Sequence, residues 1–176
     1  NEYDFTQGNV NYFQRNVNQS FEHILIDNIG EGIVRVAFNK LGLEIFSIDL
    51  AESSLPLWSP EKKNGKGIWG KTWNSISDNL NKSDGFILVV PEYGGMATPA
   101  AKNIFLLCGN GEFAHKPGLI VSISSGNGGA YPIAELRMSS YKNTHIMWIP
   151  ENIIIRNVEE FNLGSHGDKI PEWLDD

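Results

Sequence analysis

The feature that most constrains the fold is an uninterrupted apolar run, Phe86–Val90, which leads directly into a glycine-containing segment. A run of this kind, rich in β-branched and aromatic residues, predicts a strand buried on both faces of a sheet. Pro91 cannot donate to a β-ladder, so we expect the strand to end there. Gly94 and Gly95 permit a positive φ or the close approach of a ligand. The sequence therefore predicts a binding site at the carboxyl end of this strand.

A second apolar run followed by a glycine-containing segment occurs further along the chain. Leu119–Ile123 predicts a second buried strand, and a glycine-rich segment, Ser124–Gly129, follows it. Thr98 and Pro99 suit the cap and first turn of an intervening helix. Carboxyl ends of parallel strands meet at one edge of a sheet, so both glycine segments should open on that edge. We expect each to be an open bend rather than a hairpin.

From residue 43 onward, predicted strands and helices alternate. The strands cover residues 43–50, 86–90, 119–123 and 145–149, and the helices cover 68–82, 98–108 and 130–141. Pro150 should stop the last strand, and the tail should carry one short helix at most. Alternation of this kind builds a parallel sheet with helices on both faces.

Residues 21–41 allow two interpretations. Their apolar positions fit one face of a helix. Gly30 and Gly32 would each cost a helix about 1 kcal/mol, and local propensity slightly prefers a hairpin. A strand within residues 1–20 is only weakly indicated. We assign a helix over 21–41 because the topology of a parallel sheet requires it.

Composition excludes several classes of protein. A net charge of −7 disfavours nucleic acid as a partner, because backbone binding needs clustered Lys and Arg. No apolar run approaches the roughly 18 residues of a membrane span, and no signal peptide is visible at the start. The single Cys108 excludes an internal disulfide and fits the cytoplasm. The histidines lack metal-ligand spacing, so we expect no metal site. Residues 1–176 should form one domain.

Short motifs are spread over residues 42–161. They are Asp84-Gly85, Pro91-Glu92-Tyr93, Pro99 with Lys102-Asn103, Lys116-Pro117, Ser122 to Gly129, and Leu136-Arg137. Together they resemble the NAD(P)H-dependent FMN reductases, which are flavodoxin-like flavoproteins. The resemblance implies an α/β three-layer sandwich with a five-stranded parallel sheet in the order 2-1-3-4-5.

The resemblance also implies which residues bind FMN. One segment would contact the isoalloxazine ring, with main-chain groups at its polar edge: Pro91, Glu92, Tyr93, Gly94 and Gly95. A second segment would flank the other side of the flavin: Ser124, Gly126, Asn127, Gly128 and Gly129. The phosphate would be bound by Arg15, Asn18 and Ser20. Residues 1–40 match poorly, since Tyr12 and Phe13 stand where the family has Gly-Ser. Glu92 could be a general acid, although a hydrogen bond that fixes the loop is favoured.

The implied activity is transfer of hydride from NADPH or NADH through FMN to a small-molecule acceptor, namely a flavin, a quinone or an azo compound. No catalytic side chain is expected, because the cofactor carries the chemistry. The resemblance also implies a homodimer or homotetramer. The altered phosphate segment keeps a second interpretation open, a non-catalytic flavin-binding or sensor module.

Overall fold

The computed structural model describes residues 9–14, 44–50, 55–61, 70, 73–109 and 111–158. Its strands are β1 (Asn9–Gln14), β2 (Glu44–Asp49), β3 (Gly85–Tyr93), β4 (Met96–Ala97), β5 (Pro117–Ile123) and β6 (Met147–Ile155). Its helices are α1 (Asn74–Lys82), α2 (Pro99–Leu107), α3 (Ala130–Ser139) and α4 (Tyr141–Thr144). The predicted helix over 21–41 lies outside the described residues.

The sheet is mixed. Its longer strands pair in parallel in the order β2-β1-β3-β5-β6, while β4 pairs antiparallel with β3. The α/β class is confirmed, but the expected purely parallel sheet is not what the structure shows. The antiparallel element arises because the chain folds straight back on itself after β3.

β1 is a central strand, although its sequence indicates a strand only weakly. It lies between β2 and β3 and pairs with both. Tyr12 and Phe13, which the family resemblance placed in the phosphate segment, therefore belong to a strand. Aromatic residues favour strands, and two neighbouring strands supply a ladder that local sequence cannot reveal.

The apolar run of β3 is buried on both faces, as predicted. Phe86, Leu88 and Val90 point into the main hydrophobic core, which α1, α2 and α3 also enter. Ile87 and Val89 alternate with them and are equally buried. This strand therefore anchors the centre of the sheet.

Pro91 does not end β3, which was predicted to stop there. The strand continues to Tyr93, and Pro91 pairs with Ile123 of β5. The ladder between β3 and β1 ends at Val89. In the described ladders Pro91 thus has a neighbouring strand on one side only, and such a position tolerates a residue without an N–H.

Pro150 does not end β6 either. The strand runs from Met147 to Ile155, so the predicted bounds 145–149 are wrong and the strand includes the first residues of the expected tail. Residues 159–176, where one short helix at most was expected, lie outside the described residues. Among the strands that the structure describes, β6 lies at the edge of the sheet, and its register with β5 shifts between Gly118 and Ile120. An irregularity at a sheet edge accommodates proline.

Arg137 holds this irregular part of β6 in place. Its Nη2 reaches the carbonyl oxygens of three successive residues at 2.7, 2.9 and 3.0 Å, those of Ile149, Pro150 and Glu151. Arg137 belongs to one of the sequence motifs, and its position on α3 explains how the helix and the edge strand stay aligned.

The helices differ from prediction mainly at their ends. The helix expected over 98–108 begins at Pro99, with Thr98 at the N-cap, but the Thr98 side chain makes no capping bond. Its Oγ1 is buried and has no hydrogen-bond partner among the described residues. The helix expected over 130–141 is two helices, α3 and α4. The helix expected over 68–82 is described as α1, with Trp73 buried at its N-cap.

Two further classes of feature are absent from the ranges described above. No group of three or more His, Cys, Asp or Glu side chains there is placed to hold a metal ion. None of the described helices is long and apolar enough to cross a membrane.

Candidate functional site

The two predicted glycine segments lie side by side at the carboxyl edge of the sheet. β3 and β5 are adjacent and parallel, so the segments that follow them emerge together. The Oε2 of Glu92 accepts a hydrogen bond from the N–H of Gly129 at 2.7 Å. A Cβ at Gly128 would overlap the same carboxylate. Glu92 therefore has the loop-fixing role that the sequence favoured.

The first segment is a tight β-hairpin, which corrects the expected open bend. Tyr93 at the end of β3 pairs with Met96 at the start of β4. Between them Gly94 and Gly95 have φ values of +56° and +74°. A two-residue hairpin loop of type I′ requires positive φ at both positions, which is why Gly-Gly forms it. The expectation of positive φ is confirmed.

The second segment is held by residues that follow β6. Arg156 Nε donates to the carbonyl oxygens of Asn127 and Gly128 at 3.0 and 2.8 Å. The N–H of Asn157 donates to the carbonyl of Gly126 at 3.0 Å. The backbone N–H groups of Ser125, Asn127 and Gly128 make no hydrogen bond to another described residue. The loop is therefore oriented with its carbonyls occupied and these donors available.

Gly129 is the position in this segment where both the backbone conformation and the lack of space require glycine. Its φ is +98°, and a Cβ there would overlap Cγ2 of Ile154 in β6. Gly129 is also the N-cap of α3. By contrast, a Cβ at Gly126 would meet nothing within 4 Å. The sharp entry into α3 thus depends on Gly129 alone of these two glycines.

The predicted ring-contact residues divide by exposure. Pro91, Ser124 and Gly129 are buried, whereas Glu92, Tyr93, Gly126 and Gly128 are half-buried and Gly94, Gly95 and Asn127 are exposed. The buried residues pack at the carboxyl edge of the sheet, and the exposed residues present their backbone to solvent. Arg15, Asn18 and Ser20 lie outside the described residues, so their phosphate role stays a prediction.

Helix α3 is clamped to the hairpin by a carboxylate that sequence reasoning missed. Glu135 Oε2 accepts the N–H of Ala97 at 2.7 Å, and its other oxygen pairs with Lys102 of α2. The hydrogen bond from Lys102 is the largest cause that holds the pKa of Glu135 below its usual value. Burial opposes this effect, and the Ala97 N–H and the charge of Lys102 add to the lowering. Arg156 was also missed, because nothing in its local sequence indicates a partner almost thirty residues away.

This arrangement suits a flat ligand with hydrogen-bond acceptors along one edge. The site offers exposed backbone at Gly94 and Gly95, and available N–H donors at Ser125 and Asn127. The residues present therefore fit the ring of a flavin, whose carbonyl and ring-nitrogen edge accepts hydrogen bonds.

Comparison with known proteins gives a family match. A family model described as NADPH-dependent FMN reductase matches residues 18–160. The chain is 25% identical over 118 residues to a protein named NADPH azoreductase from Bacillus sp. (strain OY1-2). That alignment covers 66% of this chain and 65% of the relative, so the chain spans slightly less than two thirds of the relative's length.

Solved structures share the fold. The flavoenzyme NAD(P)H:(acceptor) oxidoreductase FerB from Paracoccus denitrificans superposes with a TM-score of 0.67 at 18% identity, covering 96% of this chain and 90% of that one. An azoreductase from Bacillus anthracis str. Sterne superposes with a TM-score of 0.60 at 13% identity, covering 88% and 89%. At such identities the likeness concerns the fold.

Proposed function

The chain belongs to the NADPH-dependent FMN reductase family, and from that membership we propose that it is an NAD(P)H-dependent reductase that passes electrons through FMN to a flavin, a quinone or an azo acceptor. One observation carries the proposal. Two backbone segments joined by the bond between Glu92 and Gly129 present exposed main chain at a single sheet edge. The relatives named as an azoreductase and an NAD(P)H:(acceptor) oxidoreductase support the choice of reaction.

The residues that would hold FMN supply shape and hydrogen bonds rather than acid or base chemistry. When bound, FMN supplies the capacity to take a hydride from nicotinamide and to reduce an acceptor. Gly94 and Gly95 let the main chain approach the ring without side chains. Arg156 keeps the carbonyls of the second loop turned away, which leaves N–H groups to face the ring. Arg15, Asn18 and Ser20 would bind the phosphate.

We also propose a domain organisation and an oligomeric state for the protein. Residues 1–176 form a single flavodoxin-like FMN-binding domain, in which a five-stranded parallel sheet in the order 2-1-3-4-5 carries the short β4 as an addition. The protein works as a homodimer or homotetramer in the cytoplasm. Two large apolar side chains exposed on α2 and β6 support self-association, namely Leu106 and Met147.

The test is a titration of the purified protein with FMN, followed by flavin fluorescence, and then an assay of NAD(P)H oxidation with a quinone. We expect saturable FMN binding and quinone-dependent oxidation of NADPH or NADH. Absence of both with excess FMN would contradict the proposal. Binding without NAD(P)H oxidation would instead favour the non-catalytic flavin-binding module.

A further inference from the structure

Two large apolar side chains stand exposed beside the hairpin tip. Tyr131, in the first turn of α3, is 67% exposed, and Met96 of β4 is 54% exposed. The Tyr131 Cδ2 lies 3.9 Å from the place a Cβ would take at Gly95, and the Met96 Cε lies 3.9 Å from the corresponding place at Gly94. The two side chains therefore flank the glycines of the candidate site. Exposed apolar groups beside available polar donors are typical of a ligand contact.

The structure fixes the two backbone elements that carry these side chains relative to each other. Glu135 follows Tyr131 by one helical turn, so both lie on the same face of α3. The Glu135 carboxylate accepts the N–H of Ala97, the residue after Met96. Helix and hairpin are thus locked together at the base, while Tyr131 and Met96 project at the tip.

We propose that Tyr131 and Met96 form a wall that binds the electron acceptor and selects planar aromatic acceptors of the naphthoquinone class. This inference rests on the proposed function and deepens it. A tyrosine ring stacks on a flat ring, and a thioether makes favourable contacts with the ring edge. The glycines beside them contribute no side chain, so the aromatic contact at this tip comes from Tyr131 and Met96.

The electrons and protons of the proposed reaction balance with NAD(P)H, the quinone and solvent. NAD(P)H loses two electrons and one proton and becomes NAD(P)⁺. The quinone gains two electrons and two protons, the second proton coming from solvent, and becomes the hydroquinone. Ferricyanide accepts one electron per ion without a ring to stack, so two ions are reduced for each NAD(P)H and one proton is released.

The experiment compares Tyr131→Ala and Met96→Ala with two matched controls, Tyr141→Ala and Met138→Ala. The control side chains are also exposed, at 42% and 79%, and lie on α4 and α3. Each FMN-loaded variant is assayed with 1,4-naphthoquinone and with ferricyanide. Binding of oxidised naphthoquinone in the absence of NAD(P)H is measured separately by equilibrium dialysis.

For Tyr131→Ala and Met96→Ala we expect the naphthoquinone KM and dissociation constant to rise roughly three- to tenfold, the range expected for a lost aromatic contact. Ferricyanide reduction and FMN affinity should not change, and Tyr131→Phe should resemble the unmodified protein. Equal effects in the control variants, or none in the wall variants, would overturn the inference. If the unmodified protein reduces neither acceptor, the proposed function fails, and the dialysis result alone then decides for or against the wall.

Discussion

The carboxylate of Glu92 accepts the backbone N–H of Gly129 at 2.7 Å, and this contact joins the two halves of the candidate site. Glu92 lies at the end of β3, and Gly129 caps the start of α3. The N-terminus of a helix carries partial positive charge, so a carboxylate is favoured there. The bond therefore fixes the distance between the hairpin and the second loop.

Removing this acceptor should loosen both loops. We expect Glu92→Ala to lower the free energy of unfolding by about 1–3 kcal/mol, because the Gly129 N–H loses a charged partner. Glu92→Gln should cost less, since an amide oxygen can still accept. Urea unfolding of the three proteins at neutral pH measures the difference. FMN affinity should fall in the same order, and a Glu92→Ala variant as stable as the unmodified protein would show that the bond contributes nothing.

Gly129 should resist any side chain. Gly129→Ala combines a left-handed φ of +98° with an overlap against Ile154. We expect it to lower the free energy of unfolding by about 2 kcal/mol or more. Gly126→Ala is the matched control, because a Cβ there meets nothing within 4 Å, and it should be close to neutral. Similar thermal melting of both variants would argue against the requirement for glycine at Gly129.

The effect of a substitution at Gly94 should depend on how well the new residue tolerates a positive φ. Gly94→Asn should be tolerated, because Asn is common in type I′ turns. Gly94→Val should cost about 1–2 kcal/mol, because a β-branched residue is strained at a φ of +56°. Thermal unfolding of the two variants and their FMN affinity check the prediction. If Val and Asn behave alike in both measurements, the turn does not control the site.

The contact of Arg137 with β6 should require its donor nitrogen. Arg137→Met removes the Nη2 that donates to three successive carbonyl groups and keeps an unbranched side chain. We expect a loss of about 1–3 kcal/mol in unfolding free energy and faster amide hydrogen exchange in β6. Lys142→Met, at an exposed position on α4, serves as the control. Unchanged exchange in Arg137→Met would mean that the edge strand holds its own irregular shape.

Stability should depend on the protonation of Glu135. Its native pKa is lowered by Lys102 and by the Ala97 N–H, so its ionised form is favoured in the folded state. The contribution of this carboxylate is therefore complete above its ordinary pKa of 4.5 and is lost as the pH falls through the lower native value. Glu135→Gln should flatten that part of the profile of unfolding free energy against pH. An identical acid profile for both proteins would contradict the assignment.

Much of the site edge was predictable because burial and turn chemistry are local. The apolar run Phe86–Val90 predicts a strand buried on both faces, and every residue of this run is buried in the structure. Glycine at positions 94 and 95 permits positive φ, which both residues adopt. Gly-Gly directly after a strand-forming segment also favours a type I′ hairpin. The expectation that Pro91 ends the strand leads to an open bend instead, because it removes the strand end that pairs with β4.

The amino-acid sequence by itself determined the α/β class, the two buried strands and the glycine segments that follow them, because periodicity, apolar runs and glycine positions are properties of neighbouring residues. Only the tertiary structure decided that β3 and β6 pass through Pro91 and Pro150, that Glu92 meets Gly129, and that Arg156 orients the second loop. Those outcomes depend on partners far apart along the chain. Strand neighbours, edge positions and hydrogen-bond acceptors exist only once the sheet has formed.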